Sequence, residues 1–155
     1  MFSKLHLAFL LSSRRQMASQ KGFTLIELLV VLFVIGILSA MALPSFLRQA
    51  NKARQTEAET YIGAINRAQQ AYHMEYLIFA DLADLEISVR ANTDFYNYAS
   101  VPEPSGLGVQ TTATPVMSSI AAYSGRVWLA RGTTESILCK DTSGVPPTIV
   151  GTTCP

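Results

Sequence analysis

The sequence predicts an α+β fold: one long, bent N-terminal helix, membrane-spanning in its first half, followed by a small antiparallel β-sheet head. Three observations predict it. An apolar run fills residues 23–43, apolar residues then recur at helical spacing to about residue 77, and short β-type segments cut by Gly and Pro follow. At 155 residues the chain suits one domain and hardly two. Charged residues make up 15% and apolar ones 49%, which excludes a disordered, charge-rich tail.

The apolar run reads FTLIELLVVLFVIGILSAMAL, Phe23–Leu43, and carries a single charge, Glu27. As a helix it is roughly 31 Å long at about 1.5 Å per residue, close to the thickness of a bilayer's hydrocarbon core. A buried core helix is the alternative, but a domain this small rarely hides a helix that is apolar all round. A secretory signal fits poorly. Residues 5–11, LHLAFLL, are short and are followed by Arg14-Arg15, while the run at 23–43 is too long for the apolar part of such a signal. Residues 1–22 carry Lys4, Arg14, Arg15 and Lys21 and no acid, whereas the rest of the chain has more acids than bases. Arg48, Lys52 and Arg54 lie past the far end of the run, so charge alone sets no clear orientation.

Glu27 is the anomaly. A bare carboxylate inside a bilayer costs roughly 2.5–3.5 kcal/mol on insertion scales, so it should be protonated or partnered. A position at headgroup level beside Lys21 is the alternative. Gly36 and Ala40 form a small-xxx-small pair suited to close helix packing. Pro44 lacks an amide donor and crowds the preceding turn, which predicts a bend or melted stretch near residues 40–44.

The string Lys21-Gly22-Phe23-Thr24-Leu25-Ile26-Glu27, running straight into the apolar stretch, closely resembles the type III signal of type IV prepilins and of the pseudopilins of type II secretion. The resemblance implies a leader, residues 1–22, removed by a membrane aspartyl prepilin peptidase that cuts after Gly22 and methylates the new N-terminus at Phe23. Glu27 then matches the family's glutamate at the fifth mature position, and Pro44 its helix-breaking proline. Cleavage would place a new amine four residues before Glu27. One helix can hardly satisfy both groups face to face, but the amine of one subunit can sit beside Glu27 of another, and a misplaced subunit leaves a charge unpaired. Gly22 suits a scissile site because a residue without Cβ lets the backbone approach catalytic groups. A start at Met17 would leave the shorter leader MASQKG in place of one beginning at Met1.

Past Pro44 the helix turns amphipathic. Ala50, Ala53, Ala58, Tyr61, Ile62, Ile65, Ala68 and Tyr72 recur mostly three or four apart, with Arg48, Lys52, Arg54, Glu57, Glu59 and Arg67 on other faces. The division expected is a membrane and polymerisation half at 23–44, an amphipathic half at 45–77 laid on a sheet, and a head at 78–155. Residues 78–93 read as a loop with one helical turn. Asp94–Val101, Val109–Thr114, Arg126–Ala130 and Glu135–Lys140 carry β signals, and Arg131-Gly132-Thr133-Thr134 reads as a hairpin turn. Short connections make the strands antiparallel, three to five in number.

Cys139 and Cys154 are the only cysteines. With no second pair and with His6 and His73 remote, a zinc site is not expected, and no metal or other cofactor is. The pair forms either a disulfide pinning the tail or two free thiols. As a disulfide it would contribute about 3 kcal/mol in the chain-entropy model and needs an oxidising compartment, hence a head outside the cytoplasm. The resemblance implies the disulfide, since pilins often close a C-terminal loop in this way. No P-loop, GxSxG or HExxH string occurs, and His73 has no evident partner, so no enzyme is expected. Arg126, Arg131 and Lys140 are the candidates for a basic patch. A solvated strand face explains them equally, and no nucleic-acid partner is expected.

The head's strand order and cysteine bracket are similar to the type IV pilin-like G/H group. The resemblance implies a structural subunit, major or minor, of a type IV pilus. Its partners would be other pilins, the prepilin peptidase and methyltransferase, the inner-membrane assembly machinery and membrane lipid. Its path would run from the bacterial inner membrane, head outside the cytoplasm, to an extracellular pilus. A periplasmic pseudopilin of type II secretion is the second reading. A non-polymerising single-pass anchor is the third, and it predicts an uncut leader and no need for Glu27.

Overall fold

The computed structural model describes residues 22–155. The expected leader's Lys4, Arg14, Arg15 and Lys21, and the choice between Met1 and Met17, lie outside the described residues. The chain divides into two compact units, with the boundary between Pro44 and Ser45.

A single helix, α1, runs Leu25–Tyr76. Residues 40–44 are helical and α1 continues through Pro44, so of the bend or melted stretch expected there the melted stretch does not form. A proline withholds one amide donor, but the turns on either side keep their own bonds and propagate the helix cooperatively. In the first unit every residue from Gly22 to Pro44 is exposed, including all the large apolar side chains of the run. The helix is long and apolar enough to cross a membrane by length and composition.

In the second unit the rest of α1 packs on a four-stranded antiparallel sheet, strand order β1-β2-β3-β4. The strands are β1 (Tyr96–Pro102), β2 (Gly108–Pro115), β3 (Ala122–Ala130) and β4 (Thr133–Asp141). Ala58, Ile62 and Ile65 of α1 are fully buried against Tyr96, Tyr98, Ala113 and Tyr123. Of the expected stripe, Ala53 is exposed and Tyr61, Ala68 and Tyr72 are half-buried. A smaller cluster joins Phe79 to Val109 and Val127. His73, buried in the last turn of α1, lies 4.6 Å ring to ring from Phe79 and is a packing residue.

α1 crosses the sheet at Gly125. A Cβ there would stand 2.5 Å from Ile62 Cγ2 and 2.6 Å from Asn66 Oδ1, so only glycine allows the approach. β3 and β4 are joined by the two-residue turn Arg131-Gly132, with φ of 51° and 87°. Two successive positive φ values match the twist of a tight hairpin. The loop after α1 contains one 3-10 turn, Leu82–Asp84.

The buried polar groups are largely spoken for. Gln69 donates from Nε2 to the Ala80 carbonyl at 2.6 Å and to Ser100 Oγ at 3.0 Å. Its Oε1 accepts from the Ala80 amide at 3.1 Å. Ser100 Oγ in turn bonds Thr111 Oγ1 at 3.1 Å. One side chain thus fastens the loop leaving α1 to β1 and β2. Three tyrosines point their hydroxyls at acceptors: Tyr96 to the Ala121 carbonyl, Tyr98 to Glu57, and Tyr123 to Glu59 and Gln55. Burial first, and the nearby carboxylates second, push the Tyr96 phenol up to about 12 and those of Tyr98 and Tyr123 higher still.

Candidate functional site

The expected cleavage and assembly residues lie together at the start of α1. Gly22, Phe23 and Thr24 precede the helix in extended or irregular backbone. Among the described residues nothing stands within 4 Å of where a Gly22 Cβ would be. Packing among the described residues therefore does not require glycine there. Phe23 is 86% exposed.

Thr24 and Glu27 form a reciprocal cap. Glu27 Oε2 accepts from the Thr24 amide at 3.1 Å and from the Thr24 hydroxyl at 3.0 Å. The Glu27 amide donates to Thr24 Oγ1 at 3.2 Å. A Ser or Thr followed three residues later by Glu, just before an apolar run, is the sequence signature of this arrangement. Thr24-Leu25-Ile26-Glu27 carries that signature. The cap occupies Oε2 only, and Oε1 has no hydrogen-bond partner among the described residues. Glu27 can therefore hold its own helix terminus and still offer an oxygen outward. An incoming amine would find a carboxylate whose rotamer is already fixed, which lowers the ordering cost of pairing.

At the other end of the chain Cys139 and Cys154 are joined by a disulfide, Cα–Cα 5.5 Å. The bond does not act alone. On the sheet face opposite α1, Gln110 Nε2 donates to the Pro147 carbonyl at 3.1 Å and Arg126 donates from a terminal nitrogen to the Gly151 carbonyl at 2.6 Å. Ile149, within the tail, is buried. Arg126 also grips Glu103 with two bonds, Nε to Oε1 at 2.6 Å and a terminal nitrogen to Oε2 at 3.0 Å, and lies 5.4 Å from the Trp128 ring centroid. The Arg126 guanidinium beside it holds the Glu103 carboxyl below its ordinary value. By sequence Arg126 fits a basic patch or a solvated strand face. Its pairing with Glu103 comes from the antiparallel register, which local sequence does not display.

The candidate basic patch is not assembled. Arg126 is consumed by the tail. Lys140 donates to Gln55 Oε1 at 2.8 Å across the Tyr123 ring, on the face toward α1. Arg131 sits exposed on the hairpin turn.

Residues 55–150 match the family described as type IV pilin-like G and H. Residues 17–43 match the prokaryotic N-terminal methylation motif. The chain is 31% identical over 115 residues to the fimbrial protein EcpC of Eikenella corrodens, covering 74% of this chain and 75% of that protein. It is 41% identical over 64 residues to the type IV major pilin protein PilA of Myxococcus xanthus, covering 41% of this chain and 29% of that protein. It is also 35% identical over 65 residues to the type II secretion system core protein G of Vibrio cholerae, covering 42% of this chain and 44% of that protein. The chain thus spans less than half the length of two of these three relatives. No solved structure matches it. An exposed apolar helix opening on a methylation motif, and a match over residues 55–150 that takes in the end of α1 and the whole sheet, place the chain in the type IV pilin family.

Proposed function

We propose that this chain is a structural subunit of a type IV pilus. The observation that carries the reading is the run Gly22–Glu27 opening a helix whose large apolar side chains are exposed through residue 43. A peptidase would cut after Gly22 and methylate the Phe23 amine. Residues 23–44 would hold the subunit in the inner membrane, with the disulfide-closed head on the oxidising side. Polymerisation would transfer the helix from lipid to a bundle of like helices, where Glu27 Oε1 receives the Phe23 amine of a neighbour. Its named relatives, a fimbrial protein and a type IV major pilin, support this reading.

The similarity to a type II secretion core protein favours a second reading, a periplasmic pseudopilin. Mechanical shearing separates the two. A pilus subunit is released in sedimentable filaments from the cell surface, whereas a pseudopilin stays with the envelope. Recovery as a monomer from both fractions contradicts either polymer.

A further inference from the structure

Charge along the packed part of α1 and the loop after it is segregated. Residues 45–56 hold Arg48, Lys52 and Arg54 and no acid, while residues 74–89 hold Glu75, Asp81, Asp84 and Glu86 and no base. The described residues contain one ion pair, Arg126–Glu103, so none of these charges meets an opposite one among the described residues. Arg48 and Lys52 are four apart on the helix and share an exposed face. Arg54 is committed elsewhere, to Asn51 and to the Phe95 ring.

The acidic end has a shape that fits a basic side chain. A groove of about 650 Å³ is lined by Ala68, Tyr72, Glu75, Tyr76, Asp84 and Glu86. The two tyrosine rings lie 4.5 Å apart. Carboxylates beside aromatic faces attract guanidinium and ammonium groups both by charge and by the ring quadrupole. Next to the groove in sequence, Met74, Leu77 and Ile78 are exposed. Leu77 has φ 59°, a left-handed conformation that leucine rarely adopts, and it is 76% exposed. At the basic end Phe46 and Leu47 are also exposed, beside Arg48. Each end therefore pairs an uncovered apolar patch with one sign of charge, and the signs are opposite.

Arg48 and Glu75 lie about 40 Å apart along one continuous helix, at about 1.5 Å per residue. A helix cannot fold back to join them, so neither end can complete the other within one copy. A small cation would satisfy the carboxylates but not the apolar patch, whereas another copy of the chain offers both. We propose that the tyrosine-lined acidic groove at the end of α1 receives Arg48 and Lys52 of a second copy, whose Phe46 and Leu47 cover Met74, Leu77 and Ile78. The two patches differ, so the contact is head-to-tail and propagates into an open polymer instead of closing into a dimer. It would set the axial register of heads independently of Glu27. This contact rests on the filament reading above.

The test uses unmodified filaments first. A carbodiimide joins an amine to a carboxylate in direct contact, forming an amide with loss of water. Mass spectrometry of treated filaments should show Lys52 linked to Glu75, Asp84 or Glu86. Charge reversal then asks whether the contact matters. Arg48→Glu with Lys52→Glu, and separately Glu75→Lys with Glu86→Lys, should each lower filament yield at least about tenfold, and all four together should restore most of it. Closure of Cys139–Cys154 in each variant reports that the head has folded. Lys52 linked to none of these acids, or reversals that fail to rescue each other in folded heads, overturn the contact. So does a defect confined to the basic pair, which would mean that Arg48 and Lys52 serve lipid headgroups instead. If the unchanged chain forms no filament, the failure belongs to the pilus reading.

Discussion

The two halves of α1 obey the same helical geometry and meet opposite fates. From Leu25 to Leu43 the side chains are apolar on every face apart from Glu27 and Ser39, and all are exposed. From about Ala58 to His73 one face is buried and polar residues fill the others. The second half is completed by its own chain: Ile62 and Ile65 in the core, Gln69 satisfied on three sides, Asn66 bonded to the Ile137 carbonyl at 3.2 Å. The first half has one local device, the Thr24–Glu27 cap, and otherwise awaits surroundings that the single chain does not supply. Substitutions in the first half should therefore change assembly and spare the head. Substitutions in the second should change folding before assembly.

The sharpest break of this contrast is Glu27→Ala. The account expects normal membrane insertion, an unaltered thermal midpoint of the head, and filaments below detection in sheared fractions. Filaments at the usual level would remove the pairing role of this carboxylate. The matching change in the other half is Gln69→Leu. It strands the Ala80 amide and carbonyl and leaves Ser100 with Thr111 alone, and denaturant unfolding should show a loss of about 2–3 kcal/mol. Next comes Gly125→Ala, which drives a methyl into Ile62 and Asn66. Overpacking of this kind costs about 1–3 kcal/mol, and both neighbours sit on a rigid helix, so the upper part of that range is expected.

The smallest effect is one of pH. Arg126 lowers the folded carboxyl of Glu103, so the stability this pair contributes is complete above the ordinary carboxylate value of 4.5 and is lost as pH falls through the lowered folded value. Arg126→Met should flatten the acid limb of a plot of thermal midpoint against pH. The tyrosines act in the other direction. Their folded values are raised above 10, so their contribution is present below pH 10 and fades as pH climbs past it. Phenolate absorbance from Tyr96, Tyr98 and Tyr123 should therefore appear together with unfolding.

Much of this was legible in the sequence, and the rest was hidden for identifiable reasons. The span of α1 followed from an apolar run joined to a helical stripe, and both signals are local. The β3–β4 hairpin followed from Gly132 between two alternating segments. The first half of β3, Ala122-Tyr123-Ser124-Gly125, carries no β pattern, because its small residues were chosen by the helix that crosses them and not by strand propensity. Gln69 and Asn66 look like surface residues in a one-dimensional stripe, and only the returning loop and β4 reveal their partners. Arg126 fits a basic patch or a solvated strand face in the sequence for the same reason. At Pro44 no melted stretch forms, since a residue that disfavours a helix does not end one that is well supported on both sides. At the candidate site the motif was legible in full, but the cap that pre-orients Glu27 needed coordinates to be noticed.

The central claim is that the first half of α1 is finished by other molecules, beginning with a protease. The most direct test is the N-terminus of the exported chain, read by intact-mass and peptide spectrometry. The account predicts a chain starting at Phe23 with a methylated amine. An exported chain that retains Gly22 and the residues before it would contradict the account at its root.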